Sequence, residues 1–234
     1  PRVLDQLEAH EMPATFFVVG RAIRRDTYHL LQRMVAEGHT LGSHSYSHDV
    51  KMTKVGAPED SVRAIRGQHE TTAILIDIAL LAESEDDFDA MFERVFERDP
   101  SAWLSAGAIK RDYVVYKERH RALLEDRGFD DGARPYPVLY SRPPGGGPYV
   151  EHDGKAGIAL YDKALEGIGM MNVMWHGASG DTVPEQRSDF AFLTRNMEKA
   201  VKAGGVVLIH DYMRGDALDH ALRSMKKDPS VRVS

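Results

Sequence analysis

The chain has 234 residues, 42 % hydrophobic and 28 % charged, with 20 glycines and 11 prolines, which excludes a low-complexity, collagen-like or wholly disordered polymer. Its 30 Lys plus Arg against 36 Asp plus Glu give a formal charge of −6, without the basic footprint of a nucleic-acid or anionic-membrane binder. The absence of cysteine removes disulfides, thiolate metal ligands and cysteine nucleophiles together, and leaves the redox compartment open. The length suits a single domain of the size that α/β barrels use. The densest apolar stretch, Ala73 to Leu81, is too short to span a bilayer. The sequence opens on Pro1 rather than Met and shows no signal peptide, so the natural N-terminus is expected to lie upstream.

In chain order, short β-rich runs alternate with helical patterns, the signature of repeated βα units and hence of an α/β class. Val3, Leu4 and Leu7 mark an opening helix that turns at Met12-Pro13 into the strand Ala14 to Gly20, whose continuous apolar character predicts burial on both faces. Asp26 can cap a helix with an apolar stripe of Leu30, Leu31, Met34 and Val35, which Gly38 stops before the strand Thr40 to Ser43. From about residue 57 to 128 the pattern is nearly all helical. Pro58 stands near one start, and Phe88, Met91, Phe92, Val95 and Phe96 form the stripe of a second, strongly amphipathic helix. Further strands are predicted over Pro137 to Ser141, Met171 to Trp175 and Gly205 to Ile209. A helix carrying Leu193, Met197 and Val201 ends at Gly204, and a last helix from about Asp216 to Lys227 precedes a closing strand at Val231 to Val233.

The distinctive polar residues cluster where these strands end, which in barrel-like α/β folds is the end that carries sites. His44 and His48 are four apart, a spacing that places both imidazoles on one face of a helical turn and lets them share a metal ion; two partly exposed loop histidines are the alternative. Arg142 opens the loop Arg142-Pro143-Pro144-Gly145-Gly146-Gly147, where rigid and then permissive backbone allows close approach to a ligand. The guanidinium can grip a carboxylate or simply be solvated. His210, at the end of an apolar strand, has the chemistry of a general acid or of a hydrogen-bonded core histidine. Trp175 and His176 precede Asp181 in a loop, with His176 a third candidate for metal binding or proton transfer. There is no G-x-S-x-G elbow, P-loop or dinucleotide fingerprint.

Taken together, Pro13 to His48, the Arg142 loop and Val206 to Asp211 resemble the polysaccharide deacetylase family, the nodulation-factor deacetylase homologues grouped as carbohydrate esterase family four. The resemblance implies a distorted (β/α) barrel, whose first strand the sequence lacks, forming one N-terminally incomplete catalytic domain over 1–234 with a helical insertion at about 57–128. It implies that His44 and His48 are metal ligands, with zinc the commonest metal. Arg142 would orient the catalytic base, Gly145 would serve an oxyanion through its backbone N–H, and Leu208 would line the pocket for the acetyl methyl. His210 would be the catalytic acid and Asp181 the aspartate that tunes it.

The sequence departs from the family's pattern in several places. The family's aspartate pair, metal ligand and base, lies upstream of Pro1. Gly145 stands where the family often has tyrosine, Thr182 where a tryptophan follows the aspartate, and His176 at an acidic position. The stretch from His48 to Arg142 is also longer than the family's, so the helical insertion could shape or cover the substrate groove.

The activity implied is a zinc-dependent hydrolase acting on carbon–nitrogen bonds other than peptide bonds, releasing acetate from an N-acetylglucosamine polymer. Peptidoglycan is the first choice and chitin oligomers the second. Tyr149 and Trp175 are candidates for stacking on sugar faces or for packing. An exported, periplasmic or extracellular protein is implied, with a glycan as its partner. The alternative is a catalytically inactive relative that binds glycan or metal, and a small-amide hydrolase with a closed pocket is a third reading.

Overall fold

The structure is a computed structural model that describes residues 2–102, 104, 109–130, 133–152 and 154–228. The predicted strand at Val231 to Val233 lies outside the described residues. The chain divides into two compact units, one built from Pro1–Ala14, Glu37–Thr40 and Met174–Ser234 and the other from Thr15–Ala36 and Leu41–Val173. Among the described residues no helix is long and apolar enough to cross a membrane.

The larger unit carries a four-stranded sheet in the order β1 (Thr15–Val18), β2 (Thr40–Ser43), β3 (Tyr140–Ser141) and β4 (Met171–Asn172). β2, β3 and β4 run parallel, with Ser43 opposite Ser141 and Ser141 opposite Asn172. β1 is shorter than the predicted run and only half-buried, so burial on both faces is not what its apolar sequence reports. One face of it serves the arginine described below.

The helices α2 (Tyr28–Ala36), α3 (Pro58–Leu81), α4 (Glu85–Phe96), α5 (Ile109–Asp126) and α6 (Lys155–Glu166) complete this unit. α2 begins after Thr27; Asp26 instead lies against Arg24, 3.4 Å away, so the predicted cap is not the one formed. Pro58 in the first turn of α3 loses no helical hydrogen bond, and the Asp60 carboxylate accepts from the Ala57 N–H at 3.3 Å. α3 then runs through the middle of the core, with Ile65, Ile74, Leu75, Ile76 and Ile78 almost fully enclosed. α4 turns its predicted stripe onto that core, and its rings form a ladder from Tyr28 through Phe88, Phe92 and Phe96 to Tyr116 of α5, with centroids 5.3 to 6.3 Å apart. α6 is an element that periodicity did not single out, although Tyr161, Ala164 and Leu165 bury one of its faces.

The smaller unit pairs α1 (Arg2–His10) with α8 (Gly215–Lys227) and packs α8 on α7 (Phe190–Ala203). Val3, Leu4 and Leu7 are buried, as are Leu218 and Leu222 of α8, while Gln6 donates to the Gly215 carbonyl and His10 meets Asp219 at 2.8 Å. The Asp189 carboxylate caps α7 by accepting from Phe192 N–H, and Gly204, at φ +74°, ends it as the sequence predicts. Two short parallel strands, β5 (Gly177–Ala178) and β6 (Val207–Leu208), lie beside α7 with Ala178 opposite Leu208. β5 was not expected. Gly177 is what lets it approach, since a Cβ there would come within 2.5 Å of the Ala200 Cβ.

Candidate active site

In the larger unit, the Ser43–Ser141 register puts His44 and Arg142 side by side as the first residues beyond two paired strands. The His44 Nδ1–H donates to the Arg142 carbonyl at 2.7 Å, and Arg142 N–H returns a bond to the Ser43 carbonyl at 2.9 Å. A histidine whose Nδ1–H is committed to a carbonyl is held in the tautomer that presents Nε2 as its ligand atom. The His44 and His48 rings lie edge to face with centroids 5.0 Å apart.

The segment from His44 to His48 is not a helical turn, which corrects the geometry expected from the spacing. Ser45 and His48 both take left-handed backbone, at φ +63° and +59°, and the Ser45 hydroxyl accepts from His48 N–H. Two non-glycine residues in that region within four positions are a local strain, held by bonds from Gly20 N–H and Arg21 N–H to the Ser45 and Tyr46 carbonyls. Neighbouring imidazoles with one ring's tautomer set by the backbone fit a borderline divalent ion such as zinc. Among the described residues no group of three or more His, Cys, Asp or Glu is placed so that it could hold a metal ion.

Arg142 is 7 % exposed, so the solvated-loop alternative does not describe it. Its Nε donates to the Val173 carbonyl at 2.8 Å and its guanidinium carbon lies 4.1 Å over the Phe17 ring. Burial pulls its pKa down, to about 10. Gly42 makes room for this stack, because a Cβ there would fall 2.8 Å from Phe17 ring atoms. The glycine loop that follows takes left-handed backbone at Gly145, φ +62°, and a Cβ at Gly145 would meet Val50 at 3.3 Å. Tyr149, at the loop's end, turns its ring edge onto Tyr161 and gives its hydroxyl to Asp162, so it packs against the core.

In the smaller unit, Asp181 and His210 leave the ends of the paired strands β5 and β6. The buried Asp181 carboxylate accepts from His210 twice, from the backbone N–H at 2.7 Å and from Nδ1 at 2.8 Å. Burial alone would raise the Asp181 pKa, but these bonds with the ring and backbone of His210 outweigh it and hold the group below its ordinary value. An ionised carboxylate is an acceptor only, so Nδ1 carries the hydrogen and Nε2 is the atom left for proton transfer.

Leu208 is half-buried in β6, and Trp175 is half-buried just before β5. His176 does not end a strand as expected. It precedes β5, and its Nδ1 accepts from Val206 N–H at 3.0 Å, which gives it a backbone-pairing role. Each unit thus assembles one cluster: His44, His48 and Arg142 in the larger, Asp181 and His210 in the smaller.

Residues 1–71 match the family model described as Polysaccharide deacetylase. That stretch carries the likeness to the polysaccharide deacetylase family. It is 38 % identical over 86 residues to the chitooligosaccharide deacetylase of Sinorhizobium fredii, covering 30 % of this chain and 40 % of that protein. It is 44 % identical over 54 residues to the peptidoglycan-N-acetylmuramic acid deacetylase PdaA of Bacillus subtilis, covering 23 % and 20 %. The fold is similar to that of a CE4 family pseudoenzyme from Bacillus anthracis, at a TM-score of 0.58 and 19 % identity, over 97 % of this chain and 55 % of that one. The match therefore spans well under two thirds of each relative.

The α/β class and the parallel strands of a distorted barrel hold. Sequence reasoning did not single out Phe17, which reads as one more apolar strand residue, nor His69 of α3. His69 is wholly buried and bonded to the Tyr161 hydroxyl at 2.6 Å and to Oγ of Ser43, the residue before His44, at 2.8 Å. A histidine amid the Ile-rich pattern of α3 was the available signal.

Proposed function

We propose that the chain is a divalent-metal-dependent hydrolase that removes N-acetyl groups from a glycan containing N-acetylglucosamine. The observation that carries this reading is the His44–His48 pair, with the His44 Nδ1–H committed to a backbone carbonyl on the neighbouring strand. His44 and His48 would hold the ion, zinc by the chemistry of an imidazole set. When bound, such an ion supplies Lewis acidity that makes a nucleophile of water at neutral pH and polarises the acetamide carbonyl.

The base that takes the proton of the attacking water would be an aspartate of the pair that the resemblance implies, and this chain's residues would supply the other groups. Arg142, fixed between Phe17 and Val173, contributes a positioned positive charge that orients the base. The Gly145 N–H is the donor for the oxyanion; losing such a donor costs about 10²–10³ in rate. Leu208 borders the acetyl methyl. His210, with Asp181 fixing its Nδ1–H, gives the proton from Nε2 to the departing amine as the carbon–nitrogen bond breaks. Water's oxygen ends in acetate and the sugar keeps a free amine.

Peptidoglycan is the proposed polymer and chitin oligomers the second, since relatives of both names match this chain. A substrate of that kind implies export. The test of the metal pair is elemental analysis of His44→Ala and His48→Ala after loading with zinc. Both variants are expected to lose stoichiometric metal, and full retention in either would remove that residue from the ligand set.

A further inference from the structure

Only two aromatic side chains among the described Phe, Tyr and Trp residues are exposed, Phe190 and Tyr212. Phe190 has neighbours over it, Arg214 at 6.0 Å and the His220 ring at 5.7 Å. Tyr212 is 56 % exposed and differs in where it stands. Its ring lies nearly parallel to that of His210, planes 12° apart and centroids 5.2 Å apart. The turn that holds it is firm, because Met213 N–H donates to the His210 carbonyl at 3.0 Å and the Met213 side chain is buried. Since the imidazole occupies one side of the tyrosine, the exposure belongs to the other.

A flat π-face held rigidly beside a proton donor is suited to a ring whose own faces are C–H and whose edges are hydroxyl, the description of a pyranose. An aliphatic peptide or a small amide offers no such surface. We propose that Tyr212 is a specificity-determining residue whose open face stacks a sugar ring of the glycan, seating it alongside His210. This rests on the reading above, that the substrate is a glycan. Tyr149 and Trp175, the aromatics that sequence suggested for this task, are half-buried, and Tyr149 is engaged by Tyr161 and Asp162.

The experiment compares the full zinc-loaded chain with Tyr212→Ala and Tyr212→Phe, using an N-acetylglucosamine tetramer in calorimetric titration and in steady-state acetate release. Tyr212→Ala is expected to weaken tetramer binding about tenfold and to raise KM by a similar factor, more than it lowers kcat, whereas Tyr212→Phe stays within about twofold. Tetramer binding unchanged in Tyr212→Ala would overturn the proposal. So would a Tyr212→Phe defect as large as that of Tyr212→Ala, which would assign the effect to the hydroxyl, or a loss confined to kcat, which would make Tyr212 a support for His210 alone. A wild-type chain that binds tetramer through Tyr212 yet releases no acetate would refute the deacetylase reading and uphold the platform; one that does not bind tetramer would refute the platform.

Discussion

At the scale of single residues, two histidines of the proposed site have their tautomers set by opposite kinds of acceptor. His44 gives its Nδ1–H to a main-chain carbonyl, a neutral partner suited to a metal ligand. His210 gives its Nδ1–H to a buried carboxylate, which stabilises the ring when it carries a proton. Asp181→Asn should therefore lower turnover by about 10²-fold or more, within the range that general acid help supplies, while zinc content stays at the wild-type level. Unchanged turnover would remove Asp181 from its role. The stretch from Trp175 to Asp181 reads alone as a loop and only the resemblance points to Asp181, while its bond to His210 is not legible at all, because it depends on the β5–β6 register and β5 is only two residues long. The same holds for Arg142. The motif announced it, yet nothing in the sequence says that Phe17 lies beneath it or that Gly42 makes the space.

Among elements, the long amphipathic and apolar helices were readable because their burial is repeated over several turns. Gly38 and Gly204 mark stops that the backbone confirms at positive φ. Of the two-residue strands, β3, β4 and β6 fall within the predicted runs, whereas β5 was not read, since it is specified by its distant pairing partner β6 rather than by local pattern. α3 shows a further reason for the gap. Periodicity explains its isoleucines, whereas His69 is placed by Ser43 and Tyr161. Burial first, and the charge of His44 second, push the His69 pKa down to about 3 from 6.5. The unfolded chain protonates this ring below 6.5 and the folded chain does not until about 3. Its contribution to stability is therefore complete above pH 6.5 and falls by about 1.4 kcal/mol per pH unit as the pH drops toward 3. Urea unfolding at pH 7, 6, 5 and 4 should show His69→Gln losing less stability on acidification than wild type, by up to one proton's worth of slope. Identical slopes would mean that His69 is not neutral in the fold.

For the molecule as a whole, the first 71 residues resemble the polysaccharide deacetylase model and the fold over nearly the entire chain is similar to that of a CE4 structure. Neither likeness specifies activity, because a CE4 fold also belongs to a pseudoenzyme. What separates the readings is the chemistry of the two histidine clusters when metal and glycan are supplied. The most direct measurement is acetate release by the zinc-loaded chain from N-acetylglucosamine oligomers and from peptidoglycan, each with and without a chelator. Acetate that appears with zinc, stops with chelator and returns on readdition of the metal is the predicted result. No acetate from either glycan, or release that chelation leaves untouched, would contradict the account.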